Sequence, residues 1–274
     1  MNEKSLQVVK AINQILARYE MPITIRTIYY QLVSGLIIPN TIKSYKNYNR
    51  IAVKGRREGL IDTSRIVDSS KPLIKTSSWI NPLDFIQTVK CAYKKSIWDN
   101  QPEYVEVWIE KDALSCIIEP TTSAFDCYLA VGRGYQSLSN KNEAKERFEE
   151  MPEKQKTILY FGDFDPTGLD ISRDITAEFI DDGVKVERIA LNEKQVRDYN
   201  LPPILTKPTD SRTAKHIEQY GNVAVELDAL PPNMLTKLCK DAIMSHLDIS
   251  AFNETKEQEK EDLSKIEKWA EACE

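Results

Sequence analysis

Apolar side chains in the N-terminal part of the chain recur every three or four positions, the spacing of helices that bury one face. The first such run covers residues 3–18 and predicts a helix. Its apolar face consists of Leu6, Val9, Ile12, Ile15 and Leu16. Pro22 then interrupts the pattern, and a second helix is predicted to follow, with Thr24 as its N-terminal cap.

The second helix places two neighbouring tyrosines on different faces. Its apolar face consists of Ile25, Ile28, Tyr29, Leu32 and Val33. At 100° per residue, Tyr29 lies on this face and Tyr30 lies off it. Arg26 stands four residues before Tyr30, so we expect the two side chains to be neighbours on an exposed face. A guanidinium beside a phenol can hold a phosphate and favour the phenolate, although a surface Tyr packed on an Arg stem has the same sequence pattern.

A third helix is predicted over residues 41–58, with Tyr45, Tyr48 and Ala52 on its apolar side. The other side is basic and consists of Lys43, Lys46, Arg50, Lys54 and Arg57, with Arg56 beside them. The turn at 59–61 is predicted to lead into a β-ribbon. Three helices, a basic third one and a ribbon are typical of a winged helix-turn-helix domain of the CAP-like kind. This pattern favours binding of double-stranded DNA over a merely solvated helix face.

The rest of the chain alternates between strand-like and helical patterns, which predicts an α/β domain with a mainly parallel sheet. The predicted strands are 104–109, 127–131, 157–161, 186–190 and 223–227. The predicted helices are 142–150, 170–180 and 214–220. Charged residues in blocks from Glu254 onward predict a solvated C-terminal helix. The predicted domains are therefore 1–99, 100–250 and a charged tail, 251–274.

Charge divides close to the first of these boundaries. Residues 1–100 contain 16 Lys and Arg against 7 Asp and Glu, whereas the remainder contains 21 against 35. The overall net charge of −5 conceals this asymmetry. A basic module followed by an acidic one suits a nucleic-acid-binding surface next to a metal-binding site.

Composition excludes several other classes of protein. The 274 residues include five cysteines without a Cys-x-x-Cys pair and only two histidines, so neither a disulfide framework nor a zinc site is indicated. There is no P-loop motif, and no apolar run approaches the ~18 residues of a membrane span. We therefore expect a cytoplasmic, nucleoid-associated protein.

Acidic residues follow two of the predicted strands. Glu110 comes just after the first, and Asp163 and Asp165 come just after the third. Ligands of α/β sheets bind at the carboxyl ends of strands, and carboxylates are the hard ligands that Mg²⁺ prefers. The three residues therefore predict a Mg²⁺ site, although an isolated Asp-x-Asp is usually a turn or a helix cap. Glu226 and Asp228 could either join this site or cap a following helix.

Three segments resemble motifs of one family. Glu110-Lys111-Asp112-Ala113 and Asp163-Phe164-Asp165-Pro166-Thr167-Gly168 are similar to Toprim domains, most of all that of the A subunit of topoisomerase VI. Upstream, Arg26-Thr27-Ile28-Tyr29-Tyr30 is similar to the Arg-Asp-Ile-Tyr-Tyr motif of the same family, which includes the meiotic double-strand-break transesterases. The order, a winged helix before Toprim, also matches.

The resemblance implies a topoisomerase-like enzyme with Tyr30, Arg26 and Glu110 as catalytic residues. In that family the second Tyr of the motif, which corresponds to Tyr30, attacks DNA in a Mg²⁺-dependent reaction and leaves a 5′-phosphotyrosyl link. In this family the Tyr of one subunit completes the Toprim site of the other, so a homodimer is implied, and strand passage requires a separate GHKL-type ATPase subunit. Thr27 replaces the family's acidic residue, and the segment 132–137 lacks residues typical of true topoisomerase subunits.

Two other functions stay open at this level. A Toprim nuclease of phage, plasmid or defence type would use water as the nucleophile, and a DNA-binding regulator would keep the fold without catalysis. The sequence also leaves open whether Tyr29 or Tyr30 is the nucleophile, and how many metal ions bind.

Overall fold

The computed structural model describes residues 1–19, 22–67, 76–204, 206 and 211–271. Over these ranges the chain forms a mixed α/β fold, with helices and parallel strands, which confirms the predicted fold class at this level. None of the helices in these ranges combines the length and apolar character that crossing a membrane requires.

The three predicted N-terminal helices are present. They are α1 (Glu3–Leu16), α2 (Ile25–Ser34) and α3 (Ile42–Arg57). Thr24 caps α2 as predicted, because its side chain accepts a hydrogen bond from the backbone N–H of Thr27. The predicted apolar face of α1 is buried except for Leu6, which is 45% exposed.

The β-ribbon predicted after residue 59 falls largely on residues outside the described ranges, and the described residues 61–67 do not form it by themselves. Ile61 instead turns back beside α3, where its buried side chain contacts the position of Gly55. The chain then forms a short 3₁₀ turn (Thr63–Arg65), and strand β2 (Ile66–Val67) pairs in parallel with β1 (Ile23–Thr24). Burial of Ile61 thus directs the chain toward β1, and residues 68–75 lie outside the described ranges.

The acidic half is built on a four-stranded, fully parallel sheet in the order β4-β3-β5-β6. Its strands are β3 (Glu103–Ile109), β4 (Leu129–Val131), β5 (Gln155–Phe161) and β6 (Val184–Ala190). The two central strands are buried over most of their length, and their carboxyl-terminal halves are apolar, as parallel strands covered on both faces require. The carboxyl ends of all four strands therefore share one edge.

The predicted fifth strand, 223–227, is wrong. Among the described residues, this segment makes isolated antiparallel bridges, Phe164 with Val225 and Ile204 with Ala224, and a 3₁₀ turn begins at Leu227. The backbone N–H of Leu227 donates to the Asp163 carboxylate instead of to a strand neighbour. The segment crosses the carboxyl edge of the sheet and delivers its side chains to that edge.

Helices α4 to α11 complete the described fold. They are α4 (Pro82–Ala92), α5 (Ser115–Ala124), α6 (Leu138–Glu149), α7 (Pro166–Phe179), α8 (Glu193–Asp198), α9 (Thr213–Tyr220), α10 (Pro232–Ser245) and α11 (Ile249–Glu271). Helix α11 is more than the predicted solvated tail, since Thr255 and Ile266 are buried. It packs against α4 across the predicted domain boundaries, with an ion pair between Lys90 and Glu267.

Candidate active site

A pocket of about 590 Å³ opens at the carboxyl edge of the sheet. Glu110 enters it from the end of β3, and Asp163 and Asp165 enter it from the end of β5. Arg26 reaches the same pocket from α2, so both halves of the chain line it. The structure thus brings together three acidic residues and one basic residue that the sequence suggested separately.

Glu110 points toward the loop that carries the two aspartates. Its Oε2 accepts a hydrogen bond of 2.9 Å from the backbone N–H of Asp163. Burial raises the pKa of Glu110, and the charge of Asp165 raises it further against the opposing effects of this hydrogen bond and of Lys111. A methyl group at Gly162 would lie 2.8 Å from the same Glu110 oxygen, so a larger residue there would displace the carboxylate.

Asp165 is the N-terminal cap of α7, as its Oδ1 accepts a 2.6 Å hydrogen bond from the backbone N–H of Gly168. Gly168 lies so close to the Asp163 carbonyl that no side chain fits there. Helix capping, the usual role of an isolated Asp-x-Asp, is therefore one role of Asp165. Its side chain also lines the pocket, so this cap does not remove it from the site.

Lys111 is the centre of the acidic cluster. Its Nζ lies 2.9 Å from Asp163 Oδ1, 2.9 Å from Glu226 Oε2 and 2.6 Å from Asp228 Oδ2. Burial alone would lower the pKa of Lys111, but the three carboxylates outweigh it and raise the pKa well above its ordinary value. Burial raises the pKa of Asp163 to about 7, while Lys111 opposes this rise. The ammonium group thus neutralises part of a carboxylate cluster that is almost shielded from solvent.

Glu226 and Asp228 do not cap the helix that follows them. Helix α10 begins after Pro231 without a side-chain cap, so that alternative is wrong. Both carboxylates instead bind Lys111. Asp228 is fully buried, and its Oδ1 has no hydrogen-bond partner. A buried carboxylate oxygen without a partner is costly, so this edge of the sheet has unused capacity to accept a hydrogen bond or to bind a cation.

The donor chemistry of the pocket fits a hard divalent cation, because five carboxylates line it, and two of them, Glu110 and Asp163, have raised pKa values. In their present positions, however, no three His, Cys, Asp or Glu side chains of the described residues are grouped so that they could hold a metal ion. The Lys111 Nζ lies at ion-pair distance from Asp163 Oδ1, so this oxygen already has a cationic partner. Binding of Mg²⁺ would thus require these side chains to rearrange.

Tyr30 is not on the open surface predicted for it. Its ring is half-buried, 5.5 Å from Lys111 Nζ and 5.5 Å from the Arg26 guanidinium carbon. Arg26 Nη2 donates a hydrogen bond of 3.5 Å to its hydroxyl. Burial, followed by the charge of Glu226, raises the pKa of Tyr30. The helical period correctly predicted that Tyr30 lies off the buried face of α2, but the acidic half covers its side chain.

Tyr29, by contrast, is 2% exposed. Its hydroxyl lies 3.3 Å from the Pro39 carbonyl oxygen and 3.2 Å from that of Thr41, at the start of α3. This hydroxyl thus supports the turn between α2 and α3. Of the two tyrosines, Tyr30 is the one beside the acidic pocket.

Sequence reasoning missed Arg188, which is in the middle of β6. Its guanidinium donates to the carbonyl oxygens of Gly162 and Gly168, each at 3.0 Å, and to those of Asp163 and Leu191. It also donates to Ser172 Oγ at 2.5 Å. Arg188 thus fixes both ends of the loop that carries Asp163 and Asp165. A lone arginine in a strand gives no local signal of this role.

The predicted basic residues of α3 form an exposed stripe. Lys43, Lys46, Arg50, Lys54 and Arg57 are all exposed, and Arg56 is partly buried. Tyr48 and Ala52 are buried on the opposite side, as predicted. At the pocket mouth, Arg133 is 84% exposed and forms an ion pair with Asp112 at 3.1 Å. No protein-family model matches the chain, and a comparison with curated proteins also finds no match.

Proposed function

We propose that this protein cleaves double-stranded DNA by transesterification, with Tyr30 as the nucleophile. The observation that carries this proposal is that Arg26, which lines the acidic pocket together with Asp163, also donates a hydrogen bond of 3.5 Å to the Tyr30 hydroxyl. A nucleophile, a phosphate-binding cation and a cluster of carboxylates are the groups that such a reaction requires.

In the proposed reaction the Tyr30 oxygen attacks a backbone phosphorus, and the bond from that phosphorus to the 3′-oxygen breaks. The product is a 5′-phosphotyrosyl link and a free 3′-hydroxyl, so the energy of the broken bond is retained for religation. Arg26 and the exposed Arg133 would bind the phosphate oxygens. The Tyr30 proton passes to the nearby Glu226 carboxylate and from there to solvent, which in turn protonates the 3′-oxygen.

The proposed architecture is a winged helix-turn-helix domain made of α1–α3, followed by a Toprim domain. The α3 stripe supports this assignment, because exposed Lys and Arg side chains on one helix face suit phosphates along a DNA groove. A homodimer that cuts both strands and a GHKL-type ATPase partner are part of the same proposal, as the resemblance to the A subunit of topoisomerase VI implies.

We assign Glu110, Asp163 and Asp165 as the residues that would hold Mg²⁺. A bound Mg²⁺ would supply positive charge to the phosphate oxygens during the displacement. The raised pKa values of Glu110 and Asp163 support this assignment, because a cation would relieve the cost of keeping both carboxylates ionised in a buried site.

Supercoiled plasmid incubated with Mg²⁺, quenched with detergent and divided into samples with and without protease tests the proposal. We expect nicked or linear DNA with protein covalently attached, and no adduct from Tyr30→Phe. Tyr29→Phe is the matched control, because that hydroxyl faces the α2–α3 turn, and it should keep the adduct. Cleavage that survives Tyr30→Phe but disappears in Asp165→Asn would contradict the role of Tyr30.

A Toprim nuclease that uses water is the second candidate, and one observation favours it. Burial and Glu226 raise the pKa of Tyr30, which disfavours the phenolate. The same gel distinguishes the two reactions, since hydrolysis gives free ends whose mobility does not change with protease.

A further inference from the structure

We infer that a second cavity, between α2 and the start of α3, binds one unstacked nucleobase of the DNA beside the phosphate that Arg26 contacts. This inference rests on the proposed function and deepens it, because it assigns a separate site to the nucleotide that adjoins the cleaved bond. It can fail while DNA binding and cleavage are both confirmed.

This α2–α3 cavity has a volume of about 230 Å³ and adjoins the acidic pocket. Tyr29 and Tyr30 enter it from α2, and Tyr45 enters it from the first turn of α3. Arg26 lines both the cavity and the acidic pocket, so a phosphate bound by its guanidinium lies where the two meet. The nucleotide on one side of that phosphate is therefore within reach of the α2–α3 cavity.

The walls of the α2–α3 cavity are aromatic. The Tyr29 ring is nearly perpendicular to the Tyr30 ring, with centroids 5.4 Å apart, and to the Tyr45 ring, with centroids 4.8 Å apart. Tyr29 is held in place because its buried hydroxyl lies 3.2 Å from the Thr41 carbonyl oxygen. Tyr30 and Tyr45 are only half-buried, so part of each ring remains free to contact a ligand. Stacking of a base on such a ring strengthens nucleic-acid binding by about 5- to 150-fold.

The charge around the α2–α3 cavity also suits a nucleotide. Among the described residues that line it there is no Asp or Glu, whereas five carboxylates line the acidic pocket. Arg26 is exposed, and so are Lys43 and Lys46, which flank Tyr45 on α3. At the rim, Ile42 is 79% exposed, so an apolar side chain is available to cover a base that has left the helical stack. The cavity therefore fits an anion that carries a flat apolar ring.

The energetics of unstacking say which DNA this site should prefer. Removing a base from a duplex costs free energy, and this cost is least when the base is mismatched or already unpaired. Stacking in the α2–α3 cavity offsets the cost, so DNA with one unpaired base should bind most tightly. Contacts of the α3 stripe with phosphates cannot produce this preference, because phosphates are the same in paired and unpaired nucleotides.

Binding to two matched duplexes, measured by fluorescence anisotropy in EDTA so that no cleavage occurs, tests the inference. Each duplex has one extra nucleotide at the centre of one strand, which carries thymine in the first duplex and is abasic in the second. The two therefore have the same backbone charge and differ in the base. We expect the wild-type chain to bind the thymine duplex about tenfold more tightly than the abasic one.

Tyr45→Leu should abolish this difference between the two duplexes, because leucine keeps an apolar contact with Tyr29 but has no ring on which a base can stack. The matched control is Tyr128→Leu, the same substitution at a 56% exposed position just before β4, and it should keep the tenfold ratio. Equal affinities of the wild-type chain for the two duplexes, or an unchanged ratio in Tyr45→Leu, would overturn the inference alone. If the wild-type chain binds neither duplex, the proposed function fails with it.

Photocrosslinking locates the base without a variant, so it decides the question even if Tyr45→Leu does not fold. With 5-iodouracil as the extra base, irradiation of the wild-type complex should join this base to Tyr30 or Tyr45, and mass spectrometry of the digested adduct identifies the residue. A crosslink to a residue outside the α2–α3 cavity, or no crosslink from bound DNA, would overturn the inference.

Discussion

At the scale of single residues, Arg188 binds the loop that carries Asp163 and Asp165 more extensively than any side chain we predicted from sequence. Its guanidinium donates to four backbone carbonyls and to Ser172 Oγ. Arg188→Met removes all of these donors at similar length, so the carbonyls are left without their partner. We expect the free energy of unfolding to fall by roughly 3 kcal/mol, measured by urea denaturation.

The matched control is Arg173→Met on α7. Arg173 is 70% exposed and pairs with Asp170 at 2.7 Å, and an exposed ion pair contributes at most about 1 kcal/mol. Equal decreases in the two variants would show that Arg188 acts only as a surface charge. Arg188→Lys should fall between wild type and Arg188→Met, because a lysine keeps the charge but not the planar set of donors.

Two residues show how far sequence reasoning reached at this scale. The helical period of α2 was sufficient to predict that Tyr29 lies on the buried face and Tyr30 lies off it. This period depends only on neighbours three and four positions away in the sequence. It could not reveal that Glu226, almost 200 residues later, would cover Tyr30. Lys111 was visible in the Glu-Lys-Asp-Ala run, but its contacts with Glu226 and Asp228 depend on the packing of a distant segment.

At the scale of elements, the basic stripe of α3 is the surface that we propose to bind DNA. Lys46, Arg50 and Lys54 lie along its exposed face, and Lys54 also pairs with Glu58 at 3.5 Å. Neutralising one side chain that binds a phosphate should reduce the slope of log K against log salt by about 0.9. For the triple glutamine variant we expect the slope to become shallower by about 2–3, measured by fluorescence anisotropy with duplex DNA.

A triple glutamine variant of α11, at Lys260, Lys265 and Lys268, removes the same charge from another exposed helix. It should leave the salt slope nearly unchanged, because these lysines alternate with acidic residues and two of them form ion pairs with them. If both variants change the slope equally, the binding responds to net charge and not to the α3 stripe.

Strand prediction succeeded for the buried centre of the sheet and failed at its edge. β3 and β5 end in apolar runs, 107–109 and 158–161, a pattern that marks buried parallel strands. Residues 223–227 also alternate like a strand, but their backbone pairs with single residues of two different segments. Local alternation reports which side chains are buried, and it does not distinguish a ladder from isolated bridges.

At the scale of the whole molecule, two of the contacts between the described parts of the acidic and basic halves each involve a helix. One is the docking of α2 on the carboxyl edge of the sheet. The other is the packing of α11 on α4 and on the segment that follows α4. The Tyr93 hydroxyl donates to Asp262 at 2.9 Å, and the Lys95 backbone N–H donates to Glu259 at 2.9 Å.

Burial of Ile266 is what we expect to hold α11 against α4, because exposed ion pairs such as Lys90 with Glu267 contribute little. Ile266 is 6% exposed, so Ile266→Asp places an unpaired charge in this contact. We expect amide hydrogen exchange in α4 to accelerate by about tenfold or more, while β3 and β5 keep their protection. Trp269→Asp, at a 64% exposed position of the same helix, should change neither. Equal acceleration throughout the sheet would show instead that the two halves unfold as one cooperative unit.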